Sequence, residues 1–125
     1  MMPRVFFAIA SILGALSVAG GAFGAHALKG QLTEAALGSF ETGVRYQMYH
    51  ALALLVVALL AKQSPTVGLL NAAGWCFVAG IVLFSGSLYG LSLAGIKALG
   101  PVTPLGGAAF IAGWICLAIA SGKAF

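Results

Sequence analysis

Four long apolar runs, nearly free of charge, alternate with short polar joints along this chain. An α-helix rises 1.5 Å per residue, so about 20 apolar residues cross the hydrocarbon core of a bilayer. Residues 5–27, 44–61, 67–94 and 104–121 supply four such runs. Lipid offers no partner to an unpaired N–H or C=O, and four segments this short cannot close a barrel, so the runs are predicted to be helices. Ser64-Pro65 and Thr103-Pro104 each read as an N-cap followed by proline at the first helical position. Gly100-Pro101 breaks the chain just ahead of the second of these starts. The joints at residues 62–66 and 95–103 are short, which makes consecutive helices antiparallel neighbours and puts both termini on one side. The expected fold is therefore all-α: a polytopic membrane protein of four antiparallel transmembrane helices, forming one domain over residues 1–125.

Between the first two runs the period changes. Leu32, Ala36, Leu37, Phe40 and Val44 mark one helical face, with Thr33, Glu34, Ser39 and Glu41 elsewhere, as in a short amphipathic helix lying at the membrane surface. Gly43 is the natural hinge into the second span. In the first run Gly20 and Gly24 form a GxxxG pair, and Ser17, Gly21 and Ala25 a parallel row of small residues, so this face is expected to admit another helix at close range. Arg4, the apolar stretch and Ala25-His26-Ala27 also mimic a secretory signal with its cleavage site. The stretch persists well past the 7 to 15 residues or so typical of a signal, which favours a retained helix.

Composition agrees with the pattern, since 62% of residues are hydrophobic and 6% charged, against about 25% charged in a soluble domain. The net charge of +4 comes from Arg4, Lys29, Arg45, Lys62, Lys97 and Lys123, placed singly. Nucleic acid needs basic side chains gathered on one face, so these charges point to the lipid bilayer as the partner and not to nucleic acid. Cys76 and Cys116 lie in apolar runs without CxxC spacing and read as small buried hydrophobes.

Antiparallel threading brings the end of span one, the start of span two, the end of span three and the start of span four to one membrane face, called here the far face. His26, Glu41, Arg45, Tyr46, Gln47, Tyr49, His50, Ser85, Ser87, Tyr89 and Thr103 fall on it. Of these, His26, Tyr46, Gln47, His50, Ser85, Ser87 and Tyr89 are the candidate binding residues. The near face carries Arg4, Lys62, Asn71 and Lys123, with Trp75 as an interfacial aromatic. Glu41 precedes Arg45 by four residues, the favourable order for an ion pair, and Arg45 precedes Tyr49 by four, which allows stacking. Burying Arg45 at mid-bilayer would cost about 2.5 to 3.5 kcal/mol, so it is expected at the rim or paired with Glu41.

Several motifs resemble a known family. Gly21-Ala22-Phe23-Gly24-Ala25-His26, Thr42-Gly43 with Tyr46-Gln47 and His50, Leu83-Phe84-Ser85-Gly86-Ser87-Leu88-Tyr89, and Thr103-Pro104 with Gly106-Gly107 and Gly113-Trp114 are similar to the YgdD-like small membrane proteins. This is a domain-of-unknown-function family of the bacterial inner membrane, to which the eukaryotic transmembrane protein two-five-six is related. The resemblance covers nearly the whole chain. It implies four membrane helices, a home in the cytoplasmic (inner) membrane and no assigned activity, and it supplies no catalytic residue. Arg45 and Tyr49 depart from the pattern.

Three functions compete at this point. The first is a non-enzymatic protein that binds at the far face or packs against a partner membrane helix, including a second copy of itself. The second is a small homo-oligomeric transporter or channel; the basic residues divide three to three between the faces, so the positive-inside rule barely chooses an orientation and dual-orientation dimers become conceivable. No Asp or Glu lies deep in a span, which leaves His50 as the coupling group. The third is an enzyme or cofactor protein. No GxSxG, HExxH or aspartate pair is present, and haem between His26 and His50 rests on two histidines alone, so no cofactor and no metal is expected. The short N-terminal tail with Arg4 favours cytoplasmic termini.

Overall fold

The computed structural model describes residues 2–125, with no β-strand among them. Four helical stretches long and apolar enough to span a membrane run over Met2–Leu28, Glu34–Gln63, Gly68–Ala94 and Lys97–Ala124. The first is α1 (Met2–Phe23) closed by a π turn, Gly24–Leu28; the second is α2 (Glu34–Gln63). The third is α3 (Gly68–Gly80), a second π turn (Ile81–Ser85) and α4 (Gly86–Ala94); the fourth is a three-ten turn (Lys97–Leu99) leading into α5 (Val102–Ala124). Successive spans are antiparallel, as the short joints predict.

Most of the buried positions of α2 lie along one seam: Phe40, Gly43, Gln47, His50, Leu54, Val57, Ala58 and Ala61. That seam and the inner faces of α3 and α4 form the centre, while α1 and α5 flank it and turn most of their surface to lipid. The core joins Phe6 and Ala10 of α1, Leu54 and Val57 of α2, Phe77 of α3 and Phe110 of α5. Lipid tails are as apolar as these side chains, so close packing, not exclusion from water, has to hold the helices together.

The packing device is a bulky residue set against a glycine. The Phe77 ring lies over Gly113 and the Phe110 ring over Gly80, while the backbone of Phe84 lies against Gly106, so α5 and the third span interlock in both directions. Phe6 sits on Gly74, and Phe40 on Gly24. Gly20 and Gly21 face Val44, and Ser17 is buried and donates to the Leu13 carbonyl. The small-residue row of the first span is therefore occupied by the chain's own α2. Ala25, in the same row, is exposed.

Three expectations change at the joints. The amphipathic segment at residues 34–43 is helical, yet it continues unbroken into the second span, and Gly43 is not a hinge. Thirty residues reach about 45 Å, against a core of about 30 Å, so the polar first turns of one straight helix stand clear of the hydrocarbon. The start of α2 is capped by Thr33, whose hydroxyl accepts from Ala36 N–H at 3.1 Å. Ser64 does not start the third helix but ends the second, its N–H donating to Leu60 O at 2.8 Å, and α3 begins at Gly68. Thr103 likewise caps nothing; α5 begins at Val102, and the Thr103 hydroxyl turns to Ser87. At the end of α4, Gly95 takes the left-handed conformation (φ 65°) that closes helices without strain on a side chain.

Candidate functional site

The far half of the bundle holds the polar side chains that antiparallel threading gathers. Gln47, on the buried seam of α2, donates from Nε2 to the Leu13 carbonyl of α1 at 2.8 Å and accepts from the Tyr89 hydroxyl of α4 at 2.6 Å. One amide thus joins three spans. One turn earlier, the Gly43 carbonyl accepts from Ser85 Oγ at 2.6 Å, and the Tyr89 ring lies against the Gly43 backbone. Gly43 is needed for that approach: a Cβ there would stand 2.8 Å from Tyr89 Cε1. Ser87 and Thr103 share a hydrogen bond between the third span and α5, and Ser87 also donates to Phe84 O at 2.9 Å.

The π turn at Ile81–Ser85 makes this register possible. A π turn inserts one residue into an α-helix and rotates the turns beyond it. Here it sets Phe84 onto Gly106 of α5 while Ser85, the next residue, reaches Gly43 of α2.

His50 is 5% exposed. Its Nδ1 lies 2.7 Å from the Tyr46 carbonyl, and its Nε2 lies 3.1 Å from the indole nitrogen of Trp114. A carbonyl only accepts and an indole N–H only donates, so the ring is the neutral tautomer with the proton on Nδ1. Both nitrogens are engaged. The ring also stacks on Phe110, with centroids 3.6 Å apart and planes 8° from parallel, and Phe77 and Trp114 close its other sides. Tyr46 leans on Phe84 at 4.7 Å and on the exposed Tyr49 at 5.5 Å, so it bridges the buried cluster and the rim.

Gln47, His50, Ser85, Ser87 and Tyr89 thus meet in one region, with Tyr46 at its edge. His26 does not join them: it lies exposed on the π turn that ends the first span. Nor does the structure hold the expected Glu41–Arg45 ion pair. Arg45 Nε points to the backbone carbonyl of Glu41 at 3.5 Å, and both side chains are exposed, where solvent and headgroups compete for them. Trp114, Phe110 and the Leu13 carbonyl belong to the cluster but are not among the candidate residues; Trp114 falls in a motif of the resemblance, yet only the helix rotations bring these groups to His50 and Gln47. Cys76 and Cys116, on neighbouring helices, are unbridged and half-buried.

Among the described residues no buried side-chain nitrogen or oxygen lacks a hydrogen-bond partner, and no three His, Cys, Asp or Glu side chains gather as metal ligands. As a chemical arrangement the cluster leaves none of its buried side-chain nitrogens and oxygens without a partner inside the protein.

Residues 20–107 match the family described as "Protein of unknown function (DUF423)". Over 120 residues, 96% of this chain, the sequence is 51% identical to the UPF0382 membrane protein YwdK of Bacillus subtilis, covering 98% of that protein. It is 46% identical to the UPF0382 membrane protein SAB0533 of Staphylococcus aureus and 41% identical to SSP2132 of Staphylococcus saprophyticus, each over 96% of this chain and 97% and 98% of those proteins. These similarities bear out the resemblance to a domain-of-unknown-function family of small membrane proteins. No solved structure matches the chain.

Proposed function

This chain belongs to the DUF423 family, and on that premise we propose that it is a non-enzymatic membrane protein that works by binding and helix packing, with its polar cluster serving as the brace of the bundle. The observation that carries this reading is the saturation of the cluster. A translocation path or catalytic centre keeps groups free for a solute, whereas Gln47, His50, Ser85, Ser87 and Tyr89 spend theirs within the bundle, on neighbouring helices and, for His50 Nδ1, on the Tyr46 carbonyl of its own helix. What remains open to a partner at the far face is the rim, where His26, Arg45 and Tyr49 are exposed and Tyr46 partly so. A partner membrane helix or a second copy would meet these side chains. The inner membrane with cytoplasmic termini is the location this reading adopts.

The alternative, a homo-oligomeric transporter, draws on the equal division of basic residues between the faces. Reconstituting wild-type protein and His50→Ala into liposomes separates the two. The brace reading expects His50→Ala to lower the melting midpoint in detergent while neither protein adds ion or proton flux to the vesicles. Flux through the wild type that His50→Ala abolishes at unchanged melting would establish the transporter instead.

A further inference from the structure

At the near end, opposite the polar cluster, the start of α1 and the end of α2 leave a groove of about 560 Å³. Phe7, Ala8, Ala58 and Leu59 form its apolar wall, and Arg4 and Lys62 line it toward the two helix ends. The sequence spacing explains the arrangement. Arg4 shares a helical face with Phe7 and Ala8, three and four residues on, and Lys62 shares one with Leu59 and Ala58, three and four residues back. Because the two helices are antiparallel, both cations come to one membrane level, and both apolar pairs extend from that level into the bilayer.

Neither cation has an acidic side chain within reach. The chain's two acidic residues, Glu34 and Glu41, precede Lys62 on the same helix by 28 and 21 residues, about 42 Å and about 31 Å. Arg4 and Lys62 are both exposed. A pair of unneutralised cations above an apolar channel, inside a bilayer, matches one chemical class: an amphiphile with an anionic head and a hydrocarbon tail.

We propose that this groove binds one anionic phospholipid, with its phosphate between the Arg4 guanidinium and the Lys62 ammonium and an acyl chain along Phe7, Ala8, Ala58 and Leu59. Guanidinium presents a fork of donors matched to phosphate oxygens, and lysine adds a mobile point charge. A free phosphate ion would use the two cations and leave the apolar wall unfilled. The lipid uses both, which is why the site is assigned to it. This site is independent of the polar cluster and of the function proposed for it.

The test uses the full-length protein in phosphatidylcholine nanodiscs doped with phosphatidylglycerol, released into the gas phase to count retained lipids by mass. Phosphatidylglycerol is expected to be retained at one per chain, at least tenfold above its share of the bilayer. Arg4→Gln and Lys62→Gln should each weaken retention about fivefold, the effect of one basic residue at an anionic surface. Lys97→Gln, on the opposite face, should leave it unchanged. Ala8→Trp, which fills the groove from an exposed position and keeps both cations, should abolish it. Equal retention of the two lipids, retention that survives the double substitution of Arg4 and Lys62, or retention untouched by Ala8→Trp would each overturn the proposal. So would displacement of the lipid by millimolar inorganic phosphate, which would mark a site for the free anion.

Discussion

Single atoms decide much of this bundle, because helices in lipid approach only as closely as their smallest side chains allow. At Gly106 an added Cβ would fall against the backbone nitrogen of Phe84 and lie 2.6 Å from its Cα, and backbone cannot swing aside as a side chain can. At the adjacent Gly107 the nearest atom would be Phe84 Cδ2 at 4.0 Å, an ordinary contact. Gly106→Ala is therefore expected to cost about 1 to 3 kcal/mol through overpacking, and Gly107→Ala less than about 0.5 kcal/mol. Thermal melting of the two variants in one detergent checks this, and equal midpoints would contradict the interlock. The Gln47–Tyr89 bond invites a second measurement. Interhelical hydrogen bonds in membranes average about 0.6 kcal/mol and reach about 1.7 kcal/mol. A double-mutant cycle of Gln47→Leu and Tyr89→Phe should return a coupling in that range, and additive effects would show that the amide and the phenol stabilise independently.

At the scale of elements, the spans were legible and the joints less so. Four apolar runs dictate four helices because the solvent leaves the backbone no other way to satisfy its hydrogen bonds. The same runs say little about where a cap falls: Ser64 and Thr103 both carry the N-cap signal before proline, yet Ser64 closes α2 and Thr103 spends its hydroxyl on Ser87. The two π turns left no trace, since Ile81–Ser85 is as apolar as the helix around it, and it is the fit of Phe84 and Ser85 to two different neighbours that rewards the inserted residue. Antiparallel threading correctly gathered Gln47, Ser85, Ser87 and Tyr89, because it needs only chain direction. It could not place Trp114 on His50 or separate His26 from the cluster, because those depend on helix rotation. Gly43 shows the difference most sharply. A hinge glycine replaced by alanine should stiffen the helix and gain about 1 kcal/mol. A glycine required for the approach of Tyr89 should instead lose stability on Gly43→Ala, and loss is the outcome expected here, read as a lower melting midpoint.

For the whole molecule, the charges bear directly on its orientation in the membrane. Arg4, Lys62 and Lys123 lie at the near end and Lys29, Arg45 and Lys97 at the far end, so the excess that normally orients a membrane protein is absent. The two acidic residues do not break the tie, because acidic side chains contribute little to the rule. A balance of three against three makes orientation sensitive to one residue. With a reporter of compartment fused after Phe125, Lys97→Gln should raise the fraction of molecules with the C-terminus in the cytoplasm, and Lys123→Gln should lower it. The Arg4 and Lys62 groove adds a second bias in the same system, because anionic headgroups concentrate in the cytoplasmic leaflet and would hold the near end there. If lipid capture contributes to orientation, Ala8→Trp, which changes no charge, should also lower the cytoplasmic fraction. A fraction that tracks the charge substitutions but ignores Ala8→Trp would assign orientation to the loop charges alone.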